Sequence, residues 1–357
     1  MKILFLVAHP LIQGPLPKIN SILITLLRNF GCDIETSIWS AHSENETLGT
    51  KVAQRLKDIQ IIKKKIGSFQ PELLLVTTTH DWKAILRDLP LLITVRKSCP
   101  LIVLHLHGSF SNRLVEPGNH LMKFLTKNIL KRADAVFLYS NEEIREWSRF
   151  YPKMKYFLVD NPYKLQNIGT NEDKRAQIPV ILFAGRLVEE KGIFDLLEAV
   201  RLLKDLYHFR VSIIGDGKER ERLKAVMEYN GMKDQIKLLG YLSGRDLKDA
   251  YESASIFVLP SWREGFPLVL MEAMDYGLPI VTTGIRGAAD RLVENENCLF
   301  IQPKNPKELA KALEHLLSDS NLCEKMRRNN QQKIKEFSPT SVGKKYFEIL
   351  EEIVNYH

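Results

Sequence analysis

Residues 259–283, Leu-Pro-Ser-Trp-Arg-Glu-Gly-Phe-Pro-Leu-Val-Leu-Met-Glu-Ala-Met-Asp-Tyr-Gly-Leu-Pro-Ile-Val-Thr-Thr, decide the fold. They read as a buried strand, an exposed turn, a helix and a second strand. The helix is expected to start near Phe266-Pro267-Leu268. Proline is tolerated there because the first helical N–H groups have no internal acceptor. Those N–H groups and the positive helix end suit a phosphate or another anion. Two carboxylates flank this start: Glu264 in the turn and Glu272 roughly two turns into the helix. A carboxylate only accepts hydrogen bonds, so sugar hydroxyls are natural partners for both.

Working outward, the second half of the chain repeats the same alternation. Val180–Ala184, Val211–Ile214, 236–241 and Ile256–Leu259 are strand patterns, with helices expected over 193–205 and 246–254 and a last short strand at 298–301. The first half alternates likewise, with strands at 2–8, 73–77, 101–105 and 134–140 and a helical pattern at 18–30. Such alternation predicts parallel sheets covered by helices on both faces. A polar, aperiodic stretch from Gln166 to Gln177 reads as a linker. The domains expected are 1–163, joined by 340–357, and 164–339.

In sheets of this type ligands sit beyond the carboxyl ends of the strands. At that edge lie the loop Gln13-Gly14-Pro15, and His105 and His107 before Gly108. His107 is taken as a donor to a sugar hydroxyl, and His105, which alternates into the strand, as structural. Arg186 and Lys191 share the loop after Val180–Ala184. One guanidinium and one ammonium there would neutralise a departing diphosphate.

The whole chain has 357 residues, enough for two full cores, and is 45% hydrophobic and 26% charged, as soluble globular proteins are. Its four cysteines, Cys32, Cys99, Cys298 and Cys323, show no CxxC pair, which argues against a zinc or disulfide framework. The apolar run Ile3–Ala8 stops at His9-Pro10 and is expected to be a strand, not a signal peptide. No stretch reaches the roughly 18 apolar residues of a membrane span. Charge is lopsided: residues 1–170 hold 23 Lys and Arg against 14 Asp and Glu, the remainder 28 against 29. Basic amphipathic patterns at 51–66 and 121–132, the latter with Lys123, Lys127 and Lys131 on one face, admit attachment to an anionic membrane surface. The competing reading is an ordinary core-facing helix with a wet lysine side. Nucleic acid is not an expected partner.

Gly185-Arg186, Lys191-Gly192, Gly215-Asp216-Gly217, Gly240-Tyr241, Pro260-Ser261 and Glu264-Gly-Phe-Pro-Leu-Val-Leu-Met-Glu272 together closely resemble the retaining GT-B glycosyltransferases of family 4. The resemblance covers most of 180–303; the first half matches more weakly, through its opening strand, His107-Gly108 and Asn161. It implies an α/β, GT-B fold of two Rossmann-like domains facing across a cleft, with the last helix crossing back to the first domain. It implies a nucleotide-sugar donor, a glycan or lipid-linked acceptor, no metal and no other cofactor, and retention of anomeric configuration. It assigns donor binding to Gly14, Arg186, Lys191, Gly215, Glu264, Gly265, Phe266, Leu268 and Glu272, with Glu272 on the ribose. It assigns the chemistry to Glu264, His107, Arg186 and Lys191. Three positions depart from the pattern: one glycine, Gly14, in the first loop; Arg286 in place of the first glycine of a usual pair; and Cys298 where glycine is common. Competing readings are a GT-B 2-epimerase or phosphorylase, and a non-catalytic nucleotide-binding subunit.

Overall fold

The computed structural model describes residues 1–9, 16–39, 48–109, 111–166 and 177–356. They form two compact units, Met1–Pro162 with Pro339–His357, and Tyr163–Ser338.

The first unit holds β1 (Lys2–Val7), β2 (Asp33–Ile38), β3 (Leu73–His80), β4 (Leu101–Ser109), β5 (Ala135–Leu138) and β6 (Lys155–Leu158), in the order β2-β1-β3-β4-β5-β6. All neighbours are parallel. Central strands are buried almost throughout, so they carry continuous apolar runs such as Leu73-Leu-Leu-Val76. The edge strand β2, Asp-Ile-Glu-Thr-Ser-Ile, alternates instead, and was not among the expected strands. The helix Pro339–Asn355 buries Val342, Tyr346, Leu350 and Ile353, one face by helical spacing. It packs on the helix Leu16–Asn29. Gly343 lies so close to Leu26 that an added Cβ would meet Leu26 Cβ at 2.9 Å, and Phe347 stacks on Phe30 with ring centroids 5.4 Å apart.

The second unit holds β7 (Val180–Ala184), β8 (Arg210–Ile214), β9 (Ile236–Gly240), β10 (Ile256–Leu259), β11 (Ile280–Thr283) and β12 (Cys298–Ile301), in the order β12-β11-β10-β7-β8-β9. Every pair is again parallel. Within the unit this is the doubly wound order, with its reversal between β7 and β10. The helix after β10 starts at Leu268, with Pro267 as its cap in an extended conformation, and ends at Asp275. Glu272 therefore stands about one turn in, not two, because Phe266 and Pro267 lie before the helix.

Candidate functional site

The loops after β7, β8, β10 and β11 are knitted together at the carboxyl edge of the second sheet, and glycines make this possible. A Cβ on Gly192 would lie 2.0 Å from the Pro260 carbonyl oxygen, and one on Gly215 1.9 Å from that of Gly185. Both glycines also have positive φ, +67° and +132°. Gly217 is pressed on the Leu187 carbonyl, and Gly287 on Gly265 and Phe266. Backbone bonds complete the mesh: Trp262 N–H donates to Glu190 O at 2.8 Å and Gly287 N–H to Gly265 O at 2.9 Å. The Trp262 indole N–H donates to Asp195 Oδ2 at 2.7 Å.

This mesh brings Lys191 and Glu264 together although 73 residues separate them. The Lys191 ammonium donates to Glu264 Oε1, and both side chains are largely buried. Ser261, fully buried, donates to the same oxygen at 3.1 Å. Ser261 is itself held by Thr283, whose hydroxyl donates to the Ser261 carbonyl at 2.6 Å. Arg186 is exposed in the same β7 loop. Glu272 accepts from the Tyr251 hydroxyl at 2.7 Å. Burial, then the charge of Glu272, push the Tyr251 phenol well above its ordinary pKa, so it stays protonated and donates. Tyr251 stacks on Tyr276, centroids 5.0 Å apart, which fixes its ring. The N–H groups opening the helix at Leu268 have no acceptor within the helix, as at any helix start.

Tyr251 and Ser261 were not named as site residues from sequence. Tyr251 sits on an amphipathic helix 21 residues before its partner, where no local spacing signals it. Ser261 was visible only as part of the Pro260-Ser261 dipeptide. Arg286, the departure from the glycine pattern, has φ +45°, in the left-handed region where glycine is favoured, and is buried. Gly14 lies outside the described residues.

In the first unit, His107 sits near the carboxyl end of β4 and keeps part of its surface exposed. Its ring nitrogens turn inward: Nε2 faces His105 Nδ1 at 3.2 Å and Nδ1 faces the Tyr139 hydroxyl at 2.9 Å. His105, fully buried, also meets Tyr139 at 2.8 Å and Tyr346 at 3.0 Å. Burial pushes both imidazoles down, His107 to about 3, so both are neutral. Among the described residues no group of three or more His, Cys, Asp or Glu is placed to hold a metal. None of their helices is long and apolar enough to cross a membrane.

The family model described as glycosyl transferases group 1 matches residues 167–333. Those residues are a glycosyl transferases group 1 domain. The group 1 domain contains β7 to β12 and every donor-site candidate except Gly14. An uncharacterized glycosyltransferase of Methanocaldococcus jannaschii is 32% identical over 154 residues, 43% of this chain and 38% of that one. The Campylobacter jejuni GalNAc-alpha-(1->4)-GalNAc-alpha-(1->3)-diNAcBac-PP-undecaprenol alpha-1,4-N-acetyl-D-galactosaminyltransferase is 26% identical, over 66% of this chain and 65% of its own. The match thus spans between about two fifths and two thirds of these curated relatives. The solved structure of sucrose-phosphate synthase from Thermosynechococcus elongatus aligns over 100% of both chains with a TM-score of 0.82 at 17% identity. That likeness is one of fold, and the fold is the α/β, GT-B architecture of two Rossmann-like units.

Proposed function

We propose that the chain is a retaining, metal-independent glycosyltransferase that moves a sugar from a nucleotide-sugar donor to a cell-surface polysaccharide or lipid-linked glycan. The observation that carries this reading is the Lys191–Glu264 contact beside the helix that presents Glu272. It places a cation and two carboxylates at the reversal of strand order between β7 and β10, where ligands of such sheets bind. Lys191 and Arg186 supply the charge a departing diphosphate needs, and a diphosphate would draw Lys191 away from Glu264. Glu264, with Gly265, Phe266 and Leu268, then faces the donor sugar, and Glu272, oriented by Tyr251, takes the ribose hydroxyls. The bond from the anomeric carbon to the diphosphate oxygen breaks. The acceptor oxygen forms its bond on the same face, and its proton passes to the leaving phosphate.

Lys191→Ala and Glu272→Ala should each lower transfer by orders of magnitude while leaving the far-ultraviolet circular dichroism unchanged. Near-normal transfer by both would refute the assignment. The same assay without acceptor tests the neighbouring chemistries: rapid epimerisation of the donor would mark a 2-epimerase, and nucleotide binding without turnover a non-catalytic subunit.

A membrane-linked acceptor is supported by the helices of the first unit. Among its described residues, nine of the ten large apolar side chains that stand exposed lie between Val52 and Phe124. Leu56, Trp82, Leu86, Ile93, Leu121 and Phe124 project from the helices Leu48–Phe69, Trp82–Val95 and His120–Leu130, which pack side by side over one hydrophobic core. Residues 48–131 carry fourteen Lys and Arg against five Asp and Glu, so the apolar surface lies in a basic field. That combination suits an anionic bilayer reached from the cytoplasm. The test is co-sedimentation with vesicles of phosphatidylglycerol or of phosphatidylcholine alone. Binding to the anionic vesicles only, weakened by salt and lost in Leu86→Ser/Phe124→Ser, is expected. No binding to either, or a concentration-dependent dimer abolished by the same variant, would assign the face to something other than lipid.

A further inference from the structure

His105, His107, Tyr139 and Tyr346 form one hydrogen-bonded cluster, and only His107 among them is partly exposed. We propose that Tyr346, on the C-terminal helix Pro339–Asn355, is a positioning residue that fixes the ring of His107 by way of His105. The proposal rests on the reading above that His107 lies at the sugar-handling edge of the first unit.

A neutral imidazole has one N–H donor and one bare nitrogen acceptor. A single proton can lie between His105 Nδ1 and His107 Nε2, so the two rings are obliged to take complementary tautomers. When Tyr346 donates to His105 Nε2, His105 carries its proton on Nδ1 and donates to His107, and His107 carries its proton on Nδ1 and donates to Tyr139. When His105 Nε2 donates instead, every bond in the chain reverses together, with Tyr139 donating to His107. Tyr139 also faces His105 Nε2, at 2.8 Å, so His105, His107 and Tyr139 close a ring that can run in either direction, and Tyr346, facing the same nitrogen from outside the ring, biases that direction. In both directions the two nitrogens of His107 are held inward. The rings are packed as well as bonded: His105 lies 4.0 Å from His107 and 5.6 Å from Tyr346 between centroids.

The sequence distance makes the arrangement informative. Tyr346 reaches His105 across 241 residues. Its helix is anchored to the same unit by Lys345, whose ammonium donates to Asp160 Oδ2 at 2.9 Å, and by the Phe347–Phe30 stack. An apolar residue would fill the position and complete the helix face equally well. The hydroxyl is the part whose presence the packing alone does not require, and it is spent on His105.

The test uses the intact chain with 15N-labelled histidine, the His107 signals being assigned by loss in His107→Asn. Tyr346→Phe removes one oxygen and keeps the ring. It should retain the thermal stability of a folded protein, shift the His105 and His107 ring nitrogens toward a mixture of tautomers, and lower kcat about three- to tenfold with little change in donor KM, the effect of one lost hydrogen bond. Tyr156→Phe is the control. Its hydroxyl donates to the Trp147 and Tyr151 carbonyls in the same unit, and its loss should leave both imidazoles unchanged. Unaltered His107 nitrogen signals in Tyr346→Phe would overturn the proposal whatever the kinetics. Should Tyr346→Phe not fold, Tyr346→Leu removes the same hydroxyl while keeping the helix face apolar, and unaltered His107 signals there would equally overturn it. Shifted signals with unchanged transfer would leave the positioning intact and refute the role of His107 in the reaction.

Discussion

The contact between Lys191 and Glu264 is the shortest statement of how this chain builds chemistry. Both side chains are largely buried, so removing one charge strands the other in a poorly hydrated site. Glu264→Gln should therefore lower the thermal midpoint and sharply reduce transfer, whereas Glu264→Gln/Lys191→Met should recover the midpoint without recovering transfer; recovery of both would show the pair to be structural only. Glu264, Arg186 and Lys191 were legible because each lies in a loop beyond a strand end, beside a glycine, and Glu272 because it follows Glu264 in the helix that the same loop opens. Tyr251 was not, since a helix residue whose hydroxyl meets Glu272 looks like any other amphipathic tyrosine. Arg286 was legible only as a departure; its left-handed φ shows why glycine is expected there. The histidine pair carries a pH dependence with a definite sign. Burial lowers both pKa values in the folded state, His107 to about 3, so the unfolded chain binds more protons below the ordinary histidine pKa of about 6.5. Their contribution to stability is complete above that pH and is lost as the pH falls below it, for His107 down to about 3, by up to about 1.4 kcal/mol per pH unit for each ring. Denaturant titrations at pH 7, 6 and 5 should show a shallower decline in His105→Gln/His107→Gln than in the wild type; equal slopes would contradict the shifted values.

At the scale of elements, the loops of the second unit are held by glycines whose absent side chains are replaced by a neighbouring carbonyl. Gly192→Ala and Gly215→Ala should each destabilise the chain by more than the roughly 1–2 kcal/mol that a left-handed L-residue alone costs, because the methyl also collides with backbone. Gly231→Ala is the internal reference: it too has positive φ, +62°, but open space around its Cβ, so it should cost only the conformational part. Equal losses at all three, measured by denaturant midpoint, would show that the loop contacts contribute nothing. The strands of both sheets were legible where they are central, since burial on two faces demands an unbroken apolar run. The edge strand β2 was not, because one side of Asp33–Ile38 meets water and its polar residues dilute the pattern. The helix starts at Leu268, the last residue of the expected Phe266-Pro267-Leu268, because Pro267 serves as the cap and not as the first helical residue.

At the scale of the whole molecule, the last helix belongs to the first unit although the chain reaches it after completing the second. It buries Val342, Tyr346, Leu350 and Ile353 there, and each such side chain contributes about 1.5–3 kcal/mol, a sum comparable to the net stability of a domain. Removing residues 339–357 should therefore make Met1–Pro162 susceptible to limited proteolysis while Tyr163–Ser338 stays resistant; equal resistance of both would contradict the assignment of this helix. Two parallel sheets were legible from the alternation of patterns, but the return of the final helix came from the family resemblance, since periodicity shows that a face is buried and not which core buries it. The proposed activity requires the second unit to hold a nucleoside diphosphate between Arg186, Lys191 and Glu272. Titration calorimetry of the intact chain with nucleoside diphosphates measures this directly. Saturable one-to-one binding of at least one of them is expected, weakened about 10- to 100-fold in Lys191→Ala and in Glu272→Ala, as the loss of one charge-assisted hydrogen bond implies. Absence of binding by any nucleoside diphosphate, or the same affinity in all three proteins, would contradict it.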